Sequence, residues 1–271
     1  MIRFTKMHGN GNDFVIIDEF EDIVVLNREK PDFSKNYCDR NFGIGADGII
    51  FLQPSKTADI RMRLFQPDGS EAEMCGNGIR CLSKYAIDEG YVKSGSFTVE
   101  TLSGVLSIES KINDGIWIEV NMGRPGFMGS EIPADCKEEF VEKTIGEYKV
   151  YAVNTGVPHA VIFLSDLDIS IEKEAPKIRY DKFFPEGANV NFAVVNGSEI
   201  RIRTYERGLE SESLSCGTGS VACVVIAKRL DLVKGDRIKV VTPGGNLFIS
   251  ESNGDVFMEG TAKTVYDGII R

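Results

Sequence analysis

The chain has 271 residues, 42% hydrophobic and 27% charged, an ordinary composition for a globular protein with room for one large core or two modest ones. A formal charge of −10 and the lack of any Lys/Arg block argue against a nucleic-acid partner, although a few local donors suffice to hold a small charged metabolite. Six cysteines with no C-x-x-C pair argue against a disulfide scaffold and lend no support to a metal site, which leaves thiols that are buried or catalytic.

Residues 1–8 alternate like a strand and lack the apolar stretch of a signal peptide. The most apolar segment, 221–227, is far too short to cross a bilayer, so a cytoplasmic protein without a membrane partner is expected. A polar stretch over 34–41 reads as helical. It is followed by Gly43-Ile44-Gly45-Ala46-Asp47-Gly48, which fits G-x-G-x-x-G, and then by a strand at 49–52. That order, helix then glycines then strand, is the reverse of a dinucleotide site. Strands over 46–53 and 59–66 lead through a polar turn to Cys75-Gly76-Asn77-Gly78. Ile79, Leu82, Tyr85 and Ala86 then recur at helical spacing over 77–89, ending near Gly90, and about three short strands close the unit.

A Gly/Pro-rich stretch at 121–133 marks a boundary. Beyond it the pattern recurs. Residues 61–78 read RMRLFQPDGSEAEMCGNG and residues 201–219 read RIRTYERGLESESLSCGTG. Arg61 and Arg201 stand 140 positions apart, Cys75 and Cys216 stand 141 apart, and Gly45-Ala46-Asp47 is echoed 142 later by Gly187-Ala188-Asn189. Thr101-Leu102-Ser103-Gly104 is echoed by Thr242-Pro243-Gly244-Gly245. So long a period marks a duplicated domain, not a solenoid. The second helix, about 218–231, is apolar throughout 221–227 and should be wrapped on every side. The expected fold is α+β: two homologous domains, 1–122 and 123–271, each a mostly antiparallel sheet around a central helix. The last strand, about 263–271, is a candidate to return to the first domain.

Each Cys-Gly-x-Gly sits where the chain turns into a helix. There the N–H groups of Gly76, Asn77, Gly217 and Thr218 have no intrahelical acceptor, and the macrodipole favours an anion. The same position favours the thiolate. Domains packed about a pseudo-dyad would bring the two helix ends to one cleft, with a carboxylate gripped between them and one sulfur on each side of the neighbouring carbon. Inversion of an α-carbon needs that pairing of base and acid. One such turn alone is more simply a tight turn with small buried residues; two at matched positions favour the chemistry. Cys81 and Cys223 fall further along the helices and read as core, while Cys38 and Cys136 have no place in the pattern.

At these residues the chain resembles the diaminopimelate epimerase family over essentially its full length. The likeness is carried by Lys6-Met7-His8-Gly9-Asn10-Gly11-Asn12-Asp13-Phe14, by Asp68-Gly69-Ser70-Glu71 with Cys75-Gly76-Asn77-Gly78-Ile79-Arg80-Cys81, and by Tyr205-Glu206-Arg207-Gly208 with Cys216-Gly217-Thr218-Gly219. Gly156-Val157-Pro158-His159 and Tyr266-Asp267-Gly268 also match in character. The resemblance implies interconversion of LL- and meso-diaminopimelate, for lysine and cell-wall biosynthesis, without cofactor or metal. It implies Cys75 and Cys216 as acid and base, tuned by His159 and Glu206. By the same carry-over Gly76, Asn77, Gly217 and Thr218 hold the reacting carboxylate, and Asn12, Gln66, Asn189, Glu206 and Arg207 complete the substrate site. Tyr266 corresponds to a dimer-contact tyrosine, which implies a homodimer; an ordinary strand tyrosine is the other reading. His8 reads as structural.

Gly48, Gln66, Val157 and the longer turn 208–214 depart from the family pattern, all where the far end of the substrate is expected. Two alternatives follow: a racemase of another amino acid such as lysine, or a non-catalytic amino-acid-binding module. A phenazine-type isomerase on the same fold is disfavoured by the paired cysteines.

Overall fold

The computed structural model describes residues 1–140 and 142–271, and the chain forms two compact units. The first comprises 1–121 and 259–271, the second 122–258.

In the first unit, β1 (Ile2–Gly9) and β2 (Asn12–Asp18) form a hairpin. After α1 (Lys30–Cys38), β3 (Gly48–Gln53) lies parallel to β2 and antiparallel to β4 (Ile60–Phe65). Every residue of β3 is buried, which is why it reads as a continuous apolar run instead of alternating. The short β5 (Glu71–Ala72) leads into α2 (Gly76–Asp88), followed by β6 (Ser96–Thr101), β7 (Gly104–Asn113) and β8 (Gly115–Asn121). Ile79, Leu82 and Ala86 bury one face of α2 against the curled sheet.

The second unit repeats the plan. It contains β9 (Glu142–Ile145), β10 (Tyr148–Asn154), β11 (Pro158–Phe163), α3 (Ile171–Arg179), β12 (Asn189–Asn196) and β13 (Glu199–Glu206). Next come β14 (Ser211–Ser213), α4 (Gly217–Arg229), β15 (Arg237–Thr242) and β16 (Gly245–Ser252). Residues 219–227 of α4 are all buried, and strands β10 to β13, β15 and β16 surround the helix. An all-apolar helix is stable only when enclosed in this way. Strand β17 (Asp255–Thr261) carries the chain back, and β18 (Lys263–Ile270) pairs with β1 in the first unit as β9 pairs with β10 in the second.

The sheets are mixed. Parallel pairs β2–β3 and β4–β6 in one unit match β11–β12 and β13–β15 in the other, while β1–β2, β3–β4, β10–β11 and β12–β13 are antiparallel. The repeated arginines acquire a purpose here. Arg63 grips Glu71 through two hydrogen bonds of 2.6 and 2.7 Å across the β4–β5 turn, and Arg203 grips Glu212 identically across β13–β14 at 2.7 and 2.6 Å. Such bidentate pairs fix geometry as well as adding energy. Each one staples the turn that delivers a cysteine.

Helix α1 begins earlier than the polar stretch at 34–41 suggests. Pro31 suits its first turn, and Lys30 is fully buried on the Glu19 carboxylate at 2.9 and 2.8 Å. Helix α3, with Ile171, Ala175 and Ile178 buried, is concealed in the sequence, because Pro176 inside it breaks the helical signature.

Gly187 takes φ 70, and a Cβ there would overlap the Arg179 guanidinium. Gly187→Ala is therefore expected to cost about 2 kcal/mol and lower the melting temperature by several degrees, from backbone strain plus displacement of Arg179. An unchanged melting temperature would mean that Arg179 swings aside freely.

Candidate active site

Both cysteines are helix N-caps. Cys75 has extended backbone angles (φ −141, ψ 119), and its sulfur accepts from the Gly78 N–H at 3.5 Å. Cys216 repeats this (φ −108, ψ 113), accepting from the Gly219 N–H at 3.4 Å. A cap takes the third amide of the helix. The N–H groups of Gly76 and Asn77 on α2, and of Gly217 and Thr218 on α4, then occupy the turn where the helix has no internal acceptors and the dipole is positive.

In the first unit the site is organised around Asn12. Its Oδ1 accepts from the Cys75 thiol at 3.6 Å and from Asn77 Nδ2 at 3.2 Å, while its own Nδ2 donates to Asp47 Oδ2 at 2.6 Å. A carboxylate only accepts, so Asp47 dictates which end of the Asn12 amide faces the sulfur. Asp47 also accepts from the Asp13 N–H at 3.1 Å and pairs with Arg40 at 2.6 Å. Arg40 and Lys6 both grip Asp13. Burial would raise the Asp13 pKa, but the hydrogen bonds and charges of Arg40 and Lys6 outweigh it and hold the carboxyl below its usual range. On the other side of Asn77, the fully buried Arg80 donates to Asn77 Oδ1 at 2.9 Å and to the Gly76 carbonyl at 3.3 Å. Burial pulls the Arg80 pKa down to about 10, still above neutrality.

In the second unit the Cys216 sulfur lies 3.4 Å from Thr218 Oγ1, and Thr155 Oγ1 donates to the Thr218 carbonyl at 2.9 Å. Gly219 is required beside this turn, since a Cβ would overlap Asn191 Oδ1. Asn191 Nδ2 contacts His159 Nδ1 at 3.0 Å and donates to the Ala160 carbonyl at 3.0 Å; its Oδ1 accepts from Thr204. The amide nitrogen is the donor, so His159 Nδ1 accepts and the ring proton resides on Nε2. His159 is fully buried, and Nε2 has no partner among the described residues. Burial, with help from the Arg207 charge, lowers its pKa to about 3, so the ring is neutral at physiological pH.

Asn189 is buried at the start of β12. It donates to the Pro158 carbonyl at 3.2 Å and accepts from the Arg207 N–H at 2.8 Å, so its amide ties β11 to the end of β13. Glu206, half-buried, ends β13. Gln66 is exposed in the turn after β4. Gly48 is buried, and a Cβ there would come within 2.8 Å of Leu64 Cδ1 and 3.1 Å of the Phe65 carbonyl, so a longer residue requires Leu64 to move. Tyr266 is 44% exposed on β18 and meets Phe4 edge-on at 5.9 Å. His8 accepts from the Gly11 N–H at 3.2 Å. Cys81 and Cys223 are fully buried in the helices, where desolvation raises both thiol pKa values, to about 12 for Cys81. That suits core residues.

Sequence reading gave no role to Asp47, Arg80, Thr155 or Asn191. Two of these carried a usable signal. Asp47 is the counterpart of Asn189 in the repeat, and Asn191 lies two residues beyond Asn189, on the same face of β12.

The family model described as diaminopimelate epimerase matches residues 4–128 and 151–265. The diaminopimelate epimerase of Archaeoglobus fulgidus is 54% identical, the alignment covering 100% of this chain and 96% of that protein. That of Methanothrix thermoacetophila is 55% identical, over 99% and 96%. Among solved structures, a phenazine biosynthesis protein of the PhzF family from Bacillus anthracis superposes with a TM-score of 0.73 at 18% identity, over 98% of each chain. A probable proline racemase from Agrobacterium radiobacter K84 gives 0.71 at 15% identity, over 100% of this chain and 93% of that one. These two share the fold. The full-length identity to the epimerases goes further, and the chain belongs to the diaminopimelate epimerase family.

Proposed function

We propose that this protein is a cofactor-independent isomerase that interconverts LL- and meso-diaminopimelate, with Cys75 and Cys216 as its proton-transferring pair. The observation that carries the reading is the twofold N-cap: each cysteine opens the central helix of its unit, with its sulfur on the third amide of that helix.

In the reaction a thiolate removes the α-proton from one face, forming an S–H bond and leaving the C–H electron pair delocalised into the carboxylate. The thiol on the opposite face then gives its proton to the same carbon, so configuration inverts and the two sulfurs exchange protonation states. The reverse reaction uses the same groups in exchanged roles. The amides of Gly76, Asn77, Gly217 and Thr218 stabilise the second negative charge on the enolate-like carboxylate, the service a pyridoxal ring otherwise performs. Asn12 orients the Cys75 thiol, and neutral His159 and Glu206 tune the thiols. Asn189, Gln66, Glu206 and Arg207 serve the distal end, where the Arg207 guanidinium matches a carboxylate. The protein acts in the cytoplasm as a homodimer through the β18 face that bears Tyr266. No helix among the described residues is long and apolar enough to cross a membrane.

Incubation in D2O with LL-diaminopimelate, lysine and a panel of other amino acids tests the reading. Diaminopimelate is expected to exchange its α-proton and change configuration. Exchange on another amino acid instead would reassign the substrate, and exchange on none would leave only a binding protein.

A further inference from the structure

The turn after Arg207 is held by a carboxylate that none of the motifs accounts for. Glu210 has a left-handed backbone (φ 54), a conformation unfavourable for a residue other than glycine. Its side chain gathers three donors. Oε1 accepts from Arg179 Nη2 at 2.8 Å and the Gly208 N–H at 3.0 Å; Oε2 accepts from Tyr180 Oη at 2.6 Å. Burial works against ionisation, but these donors outweigh it and hold the carboxyl below its usual range. Arg179 and Tyr180 stand at the C-terminal end of α3, and Arg179 is only 9% exposed, packed against Gly187.

The same segment grips Arg207 from the other side. Arg207 Nη1 donates to the carbonyls of Glu186 at 3.2 Å and Gly187 at 3.5 Å, and its backbone N–H donates to Asn189. The end of α3 and the segment after it therefore hold both ends of the turn: Glu210 through Arg179 and Tyr180, Arg207 through two carbonyls. An isolated surface ion pair would contribute little. Three donors on one carboxylate, one of them a mostly buried guanidinium, make a latch that sustains an otherwise unfavourable backbone.

We propose that Glu210 is a positioning residue: its carboxylate latches the β13–β14 turn to the end of α3 and so presents the Arg207 guanidinium to the distal carboxylate of the substrate. This rests on the role given to Arg207 above. Losing the latch frees the turn, and binding then includes the entropy of ordering Arg207 anew. The distal carboxylate lies remote from the reacting carbon, so the loss falls on substrate affinity more than on the chemical step.

Steady-state kinetics of the full-length protein with LL-diaminopimelate tests this. Glu210→Ala is expected to raise KM about 10-fold with kcat within about threefold, and Tyr180→Phe to raise KM about threefold. Tyr180 is 62% exposed, so its variant carries the test should Glu210→Ala fail to fold. KM unchanged in both folded variants, or a fall in kcat at constant KM, overturns the latch and leaves the epimerase reading standing. A wild-type protein inactive on diaminopimelate overturns both.

Discussion

Cys216→Ser and Cys75→Ser are each expected to fold normally and to lose about 10³-fold or more in the rate of α-carbon inversion. Serine keeps a side-chain acceptor at the N-cap, so the helix end is preserved; alanine would forfeit about 1 kcal/mol of capping. What serine lacks is an acidic S–H, because a hydroxyl is far too weak an acid to exchange roles with its partner near neutral pH. Groups that act as a unit are non-additive, so the double variant should be no slower than the slower single one. Circular dichroism and stopped-assay chiral analysis of the three proteins make the comparison. Activity within tenfold of wild type in either serine variant would reduce that cysteine to a cap.

A second large effect concerns pH and stability. His159 has its folded pKa lowered to about 3 by burial, against about 6.5 for an ordinary histidine. The unfolded chain therefore binds a proton below about pH 6.5 that the folded chain refuses. Stability from this source is complete above pH 6.5 and is lost progressively as pH falls toward 3. At pH 4.5 the loss is on the order of 2–3 kcal/mol relative to pH 7. In His159→Gln, which keeps an acceptor for Asn191 and does not titrate, this component disappears. Urea unfolding of both proteins at pH 7 and 4.5 measures it, with carboxylate contributions cancelling in the comparison. Parallel pH dependence in the two proteins would show that His159 charges without opening the fold. In the role proposed for it, a neutral ring with its proton on Nε2 would act on a thiol as a dipole or hydrogen-bond donor, not as an imidazolium.

Much of the architecture is legible because it is written twice. The offset between Cys75 and Cys216 marks the duplication. The apolar run in 221–227 foretells an enclosed helix, and α2 and α4 begin within one residue of the expected positions. The G-x-G-x-x-G decoy lies, as its context indicates, between α1 and β3. The parallel pairs are less legible. Strand direction is settled by which long-range neighbour a strand meets, and the apolar run of β3 is compatible with either. Helix α3 is hidden because Pro176 obscures its pattern while tertiary packing of Ile171, Ala175 and Ile178 overrides that penalty.

The sequence by itself determined the family and the two helix ends at which Cys75 and Cys216 stand, because caps, glycine turns and periodic apolar faces are local instructions repeated in each half. Only the tertiary structure decided which polar groups surround those sulfurs and the turn that carries Arg207. Asp47 turns the Asn12 amide, Arg80 aligns Asn77, Asn191 sets the His159 tautomer, and Glu210 secures the turn behind Arg207. Each of these contacts joins residues on different turns, strands or helices, or depends on complete burial. Apart from the Asn77–Arg80 pair within one helix, the partner in each is chosen by how the sheet curls around the helix, which spacing alone does not state.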